Sequence, residues 1–157
     1  MDDNNEVFLR NCGEVLRLAL DIETRLEYFI YSYFCENNSK GFMMKDLFLL
    51  DLRFDRKVQV FQEICKKEKI DNKKLKVILK DIKKVQHTRN LIAHGDAYSY
   101  PDKGIVMQKR TTMTFKKNEL IIDTNLMEEL KNNHLRSMDG IIEIKKFIEN
   151  KKQNYEW

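Results

Sequence analysis

The sequence predicts a mainly α-helical fold: a bundle of four to five helices with a small β-hairpin inserted before the last one. Three observations predict it. Glycine and proline are scarce, with five Gly and one Pro in 157 residues, which disfavours a sandwich or barrel of many short strands. Apolar residues recur at three- and four-residue intervals along most of the chain, the period of a helix with one buried face. Only the stretch around 105–123 breaks that period, being rich in Val, Ile, Thr and Phe. The length suits one domain over residues 1–157. A hydrophobic share of 42% beside 34% charged residues suits a globular chain.

Residues 6–36 read as the first long helix, because Val15, Leu18, Ala19, Ile22, Leu26, Phe29, Ile30 and Tyr33 form one stripe. The run ENNSKG at 36–41 reads as a turn, and 42–52 is apolar without a clear period. Asp55 is placed to cap a helix that buries Val58, Phe61, Ile64 and Cys65 and ends near Lys69. Asp71 is placed to cap the next long helix, whose stripe is Leu75, Ile78, Leu79, Ile82, Val85 and Gln86. Gly95 suits a left-handed stop for it. Residues 96–104 read as a loop. In the hairpin Thr111, Met113 and Phe115 alternate, and KKNE at 116–119 suits its turn. Thr124 or Asn125 suits the cap of a final helix running to about residue 150.

Several classes are disfavoured. No apolar run reaches the ~18 residues of a membrane span. The start MDDNNE lacks the basic and apolar stretches of a secretory signal. Cys12, Cys35 and Cys65 are odd in number and far apart, so they make neither a disulfide framework nor a metal knuckle. A reducing cytoplasmic setting is expected, with each Cys a small packing residue. No metal and no cofactor is expected.

The net charge of +4 is unevenly placed. Residues 66–84 hold nine Lys against Glu68, Asp71 and Asp81, so this span alone exceeds the charge of the whole chain. Such a stripe suits a polyanion such as nucleic acid, or else a solvated helix face.

The same helix ends in QHTRNLIAHGD. On a helical wheel with Leu75 at zero, Arg89 falls at about 320°, inside the apolar stripe, while Asn90 and His94 fall on its flank. A guanidinium there needs an acidic partner or an anionic ligand, since it stays charged. Glu23, at the edge of the first helix's stripe, could be that partner, and the pair could simply fix helix register. His94 lies in the last turn, where the helix dipole favours positive charge. A titratable His there suits acid–base work or a helix cap. Lys83, His87, Asn90 and His94 share one polar strip. His134 has no evident partner and reads as exposed and incidental.

RNLIAHG resembles the signature of HEPN domains, an Arg, a polar residue and then a His five positions after the Arg: here Arg89, Asn90 and His94. LDLRFDRKVQVFQEI at 51–65 is similar to the helix that often precedes the motif helix in AbiV-like and related bacterial members. The resemblance implies an all-α bundle of four or five helices and a metal-independent endoribonuclease. Arg89 would bind the scissile phosphate. His94 would be the general acid or base as a ribose 2′-hydroxyl attacks the adjacent phosphorus. Asn90 would orient His94 or contact the phosphate. Products would carry a 2′,3′-cyclic phosphate or its opened form. A toxin or an abortive-infection effector in phage defence is the implied setting, with an antitoxin or sensor protein as a possible further partner.

Arg89 and His94 stand ~140° apart on a regular helix, so they do not naturally converge. Two copies about a two-fold axis would bring both pairs into one cleft, as similar HEPN nucleases do, so a homodimer is expected. Lys83, Lys84, His87 and Tyr98 are candidate RNA contacts. Tyr98 and Tyr100 could stack on bases or pack their loop. Lys109, Arg110, Lys116 and Lys117 of the hairpin could guide RNA, or the hairpin could be an edge for a partner. Toxins of the HEPN–nucleotidyltransferase pairs carry a Tyr where this chain has Asp96, which puts regulation at that position in doubt. The alternatives to the nuclease are a catalytically silent HEPN-like module binding RNA, nucleotide or protein, and an unrelated helical scaffold or regulator.

Overall fold

The apolar stripes become helices and pack against one another. The computed structural model describes residues 3–35, 37–100, 104–109 and 119–153. Helix α1 (Asp3–Phe34) is followed by α2 (Asn38–Met44), a π-helical turn (Lys45–Leu49), α3 (Phe54–Lys67) and α4 (Asn72–His94). Strands β1 (Gly95–Tyr100), β2 (Gly104–Lys109) and β3 (Glu119–Ile121) precede α5 (Thr124–Gln153). The fold is mainly α-helical with a small antiparallel sheet before the last helix, as predicted.

Helices α1, α4 and α5 pack on one another, and α3 packs on α1. Val15, Ile22, Leu26, Phe61, Ile82, Val85, Leu130 and Ile141 are wholly buried within one continuous core. Hydrophobic burial on this scale is the main favourable term in folding. The α4–α5 seam is tight: a Cβ on Gly140 would stand 2.5 Å from Ile78 Cδ1, so the helices approach as closely as a bare backbone allows. Beside it, buried Asp81 accepts from Arg136 Nε at 2.8 Å and Nη2 at 3.0 Å, a two-pronged pair that sets the register of the two helices.

Several boundaries differ from expectation. Asn37 is not part of a free turn, since its side chain accepts from the Lys40 amide and caps α2. Helix α3 starts at Phe54, with Arg53 in the cap position and Asp55 in the first turn, where a carboxylate still opposes the helix dipole. Asp123, not Thr124 or Asn125, caps α5 by accepting from the Leu126 amide at 2.8 Å. Asp71 caps α4 as predicted, accepting from the Lys73 amide at 3.1 Å.

The hairpin begins earlier than expected. Residues 95–100 form strand β1 rather than a stop and a loop, and β1 pairs antiparallel with β2 from Gly95↔Lys109 to Tyr100↔Gly104. Strand β2 in turn pairs with β3. Val106 and Met107 of β2 are both buried, so the sheet is covered on each face there. Thr111, Met113, Phe115 and the 116–118 part of the turn lie outside the described residues.

Gly95 is not left-handed. Its φ of −90° and ψ of 173° are extended, and its amide donates to Leu91 O. A Cβ there would meet Leu91 O at 2.4 Å and Gln108 O at 2.7 Å. The residue is glycine because helix end and strand β2 close on its backbone.

His134 is not incidental either. Its side chain is largely buried, with Nε2 3.5 Å from Asp21 Oδ2 across the α1–α5 seam. Burial lowers its pKa, and Asp21 only partly offsets this against the nearby Arg17. A depressed folded-state pKa means that stability is complete above the ordinary value of about 6.5 and falls as pH drops below it. Melting temperature followed from pH 7.5 to 5 should therefore decline in the wild type and decline less in His134→Gln. Parallel declines would remove this role for His134.

Candidate functional site

Helix α4 carries the sequence motif to its last residue, and Gly95 then turns the chain into the sheet. Residues from this end of α4 form one wall of a groove of about 640 Å³. The wall comprises Gln86, His87, Arg89, Asn90, Leu91, His94 and Gly95. The start of α3 supplies Arg53, Phe54 and Asp55, and α1 supplies Glu23. The volume is in the range of small-molecule and cofactor sites.

Arg89 and His94 therefore line the same groove of a single chain. The helical wheel sets them apart because it leaves out the other walls: a groove at the end of a helix wraps around it and collects side chains from a wide arc. Arg89 is half-buried rather than fully inside the stripe, and Nη1 donates to Asn90 Oδ1 at 3.0 Å. Asn90 thus holds Arg89, whereas its expected contact to His94 is absent among the described residues. His87 and His94 are both exposed on the groove side of α4.

Glu23 is not the partner of Arg89. Its Oε1 accepts from Lys57 Nζ at 2.7 Å, and Glu27 Oε1 accepts from the same ammonium at 2.6 Å. Lys57 is 2% exposed. Lys45 stands 3.5 Å from the other oxygen of Glu27. Burial alone would lower the Lys57 pKa, but the hydrogen bonds and charges of Glu23 and Glu27 outweigh it and raise the value above the ordinary one. Lys57 escapes sequence reasoning because a Lys in a basic chain draws no notice. Its signal is position: Lys57, Val58, Phe61, Ile64 and Cys65 share the apolar stripe of α3, so its ammonium has to be met inside the protein.

With Glu23 engaged, no carboxylate pairs with Arg89 among the described residues. The second guanidinium in the groove, Arg53, pairs with Asp55 at 3.2 Å and is 84% exposed. Such an exposed pair is worth ~1 kcal/mol at most and yields readily to an incoming anion. The groove thus offers two guanidiniums for anionic oxygens and two imidazoles for proton transfer.

Lys83, Lys84 and Tyr98 do not line the groove. Lys84 stands 3.3 Å from Glu129, which offsets part of its charge. Tyr98 is exposed on β1, and Tyr100 accepts from Gln108 Nε2 at 3.2 Å. Lys83 is exposed on the groove side of α4: Lys76, Lys80, Lys83, His87, Asn90 and His94 fall within an arc of roughly 80° on the wheel. They extend over roughly 27 Å of helix. Arg110, Lys116 and Lys117 lie outside the described residues, as does the Lys109 side chain.

Burial makes two of the three thiols poor nucleophiles. Cys65 is buried, which pushes its pKa up to about 12, and Cys12 is also raised by burial. Among the described residues no group of three His, Cys, Asp or Glu side chains could hold a metal ion, and no helix is long and apolar enough to cross a membrane.

Comparison of the chain with protein families, curated proteins and solved structures finds no match. What the groove and its motif can do therefore follows from their own chemistry.

Lys57→Met tests the charge cluster that holds Glu23. It leaves Glu23 without a cation and buried Glu27 with only Lys45, and should cost ~3–5 kcal/mol. Denaturant unfolding measures this. A loss below ~1 kcal/mol, the scale of an exposed pair, would mean that the cluster is not buried in solution.

Proposed function

We propose that the chain is a HEPN-like endoribonuclease that works in the cytoplasm and binds RNA phosphate in this groove. One observation carries the reading: Arg89, a half-buried residue, has no carboxylate partner for its guanidinium among the described residues, and it shares its groove with His94 and His87. An uncompensated guanidinium in a groove calls for an anionic oxygen, and a phosphodiester supplies it. The basic face of α4 leads to the same place and suits a long polyanion better than a single small anion.

In the reaction the 2′-hydroxyl loses its proton to a base and its oxygen attacks the neighbouring phosphorus. The 5′-oxygen of the next nucleotide leaves and takes up a proton, giving a 2′,3′-cyclic phosphate and a 5′-hydroxyl. Arg89 stabilises the charge that builds on the phosphoryl oxygens. His94 moves one of the two protons. Asn90 acts through Arg89, holding its guanidinium in place. Toxin action or phage defence is the setting that the motif resemblance suggests, with RNA as the substrate.

One observation favours a second reading, a catalytically silent module that binds RNA, nucleotide or a protein partner. A working His is usually oriented by a third group, and no hydrogen bond to His94 occurs among the described residues. The two readings separate with tRNA and mRNA incubated with purified protein in EDTA. Cleavage is expected from the wild type and should fall ~100-fold or more in Arg89→Ala and in His94→Ala. Binding without cleavage would favour the silent module. Cleavage that is unchanged in both variants would end the assignment of the groove.

If the protein pairs as a homodimer, each copy still carries Arg89 and His94 in one groove. Mixing Arg89→Ala with His94→Ala protein should then restore no activity. Recovery of about a quarter or more of wild-type cleavage would mean that the two residues act across the two-fold axis.

A further inference from the structure

A groove built for phosphate has an odd member in Glu23. Its carboxylate would repel a polyanion if it stood alone. It does not stand alone: Lys57 grips one oxygen from beneath, and Lys57, Lys45, Glu23 and Glu27 together form a cluster of two positive and two negative charges. The carboxylate is thereby neutralised from the protein side and held in one orientation. Oε2 of Glu23 receives no hydrogen bond from the protein among the described residues, and the side chain is 19% exposed at the groove.

A carboxylate only accepts hydrogen bonds. Its ligand must bring a donor, and phosphate oxygens bring none. Bases bring donors too, but theirs change with the sequence, whereas the ribose hydroxyl recurs beside every phosphate, and the groove's one carbocyclic ring, Phe54, is buried in the core. The groove therefore grips the sugar–phosphate backbone. On that backbone the 2′-hydroxyl is the one donor that RNA has and DNA lacks.

We propose that Glu23, positioned by Lys57, accepts a hydrogen bond from a ribose 2′-hydroxyl and makes the groove selective for RNA over DNA. The proposal rests on the reading of the groove as a nucleic-acid site and names what discriminates there. Asp55, the other carboxylate in the groove, stands 3.2 Å from Arg53 and is 48% exposed, without a buried cation to hold it in one orientation as Lys57 holds Glu23.

The test is binding, measured by fluorescence anisotropy on a His94→Ala background so that RNA stays intact. The probes are single-stranded RNA, the same sequence as 2′-O-methyl RNA, and the same sequence as DNA. RNA should bind about tenfold more tightly than either analogue. Glu23→Ala should bring that ratio to about one by weakening RNA alone. Glu23→Gln, which keeps the shape and a carbonyl acceptor, should retain part of the preference. A merely structural role for Glu23 would weaken all three probes alike. A ratio unchanged in either variant overturns the proposal. Equal binding of RNA and DNA that Arg89→Ala abolishes overturns it as well, but leaves the phosphate site standing. Binding of none of the probes would remove both.

Discussion

The ammonium of Lys57 is the constraint on which the rest of the site depends. It lies inside the protein, where a lone charge would cost several kcal/mol. Two glutamates one helical turn apart on α1 meet it, and Lys45 balances the second of them. The cluster ties α3 to α1 and fixes the start of α3 beside the end of α4. It also claims the carboxylate that would otherwise have been free for Arg89. A structural cluster behind the groove thus leaves the Arg89 guanidinium without a carboxylate partner among the described residues.

The same pairing of charges explains why the basic excess of the chain matters in one place and not in others. Many of its cations are met by carboxylates. Lys66 pairs with Glu63, Lys74 with Glu143, Lys145 with Glu149, Lys151 with Glu68 and Arg136 with Asp81. Lys76, Lys80 and Lys83 have no such partner among the described residues. They are exposed on the groove side of α4 and lead to His87 and His94. An unneutralised row of this kind raises the local concentration of a polyanion and guides it lengthwise. A distributed charge becomes directional because one long, uninterrupted helix carries it.

Much of this fold is legible in the sequence. The stripes of α1, α3 and α4 name the core, because burial follows period and period is written in the order of residues. Arg89, Asn90, His87 and His94 are found at the groove because they share the end of one helix, a local relation. What the sequence hides is tertiary. Gly95 reads as a left-handed stop, yet its need for glycine comes from Gln108, thirteen residues further on. Residues 96–100 read as a loop because Asp, Ser and Gly nearby suggest turns, while strand β2 gives them a full ladder of hydrogen bonds. Glu23 stands out in the sequence as a residue of consequence, but its partner does not, because the chain offers 29 Lys and Arg side chains and only packing says which one reaches it.

The geometry also recasts the need for a second copy. Two residues five apart on a helix point away from each other only if the ligand approaches the side of that helix. Here the groove lies at the helix end, bounded by the start of α3 and by Glu23 of α1. A long guanidinium on one flank and an imidazole on the other can then reach into the same space. Pairing of two chains about a two-fold axis would present two such grooves. The basic face of α4 would then have to remain open beside that interface, because a polyanion cannot follow a row of lysines that a partner covers. A two-fold axis that buried Lys76, Lys80 and Lys83 would put like charges against like charges across it, and repulsion disfavours that arrangement. The same row of charges that would draw a polyanion thereby restricts where a second copy can sit.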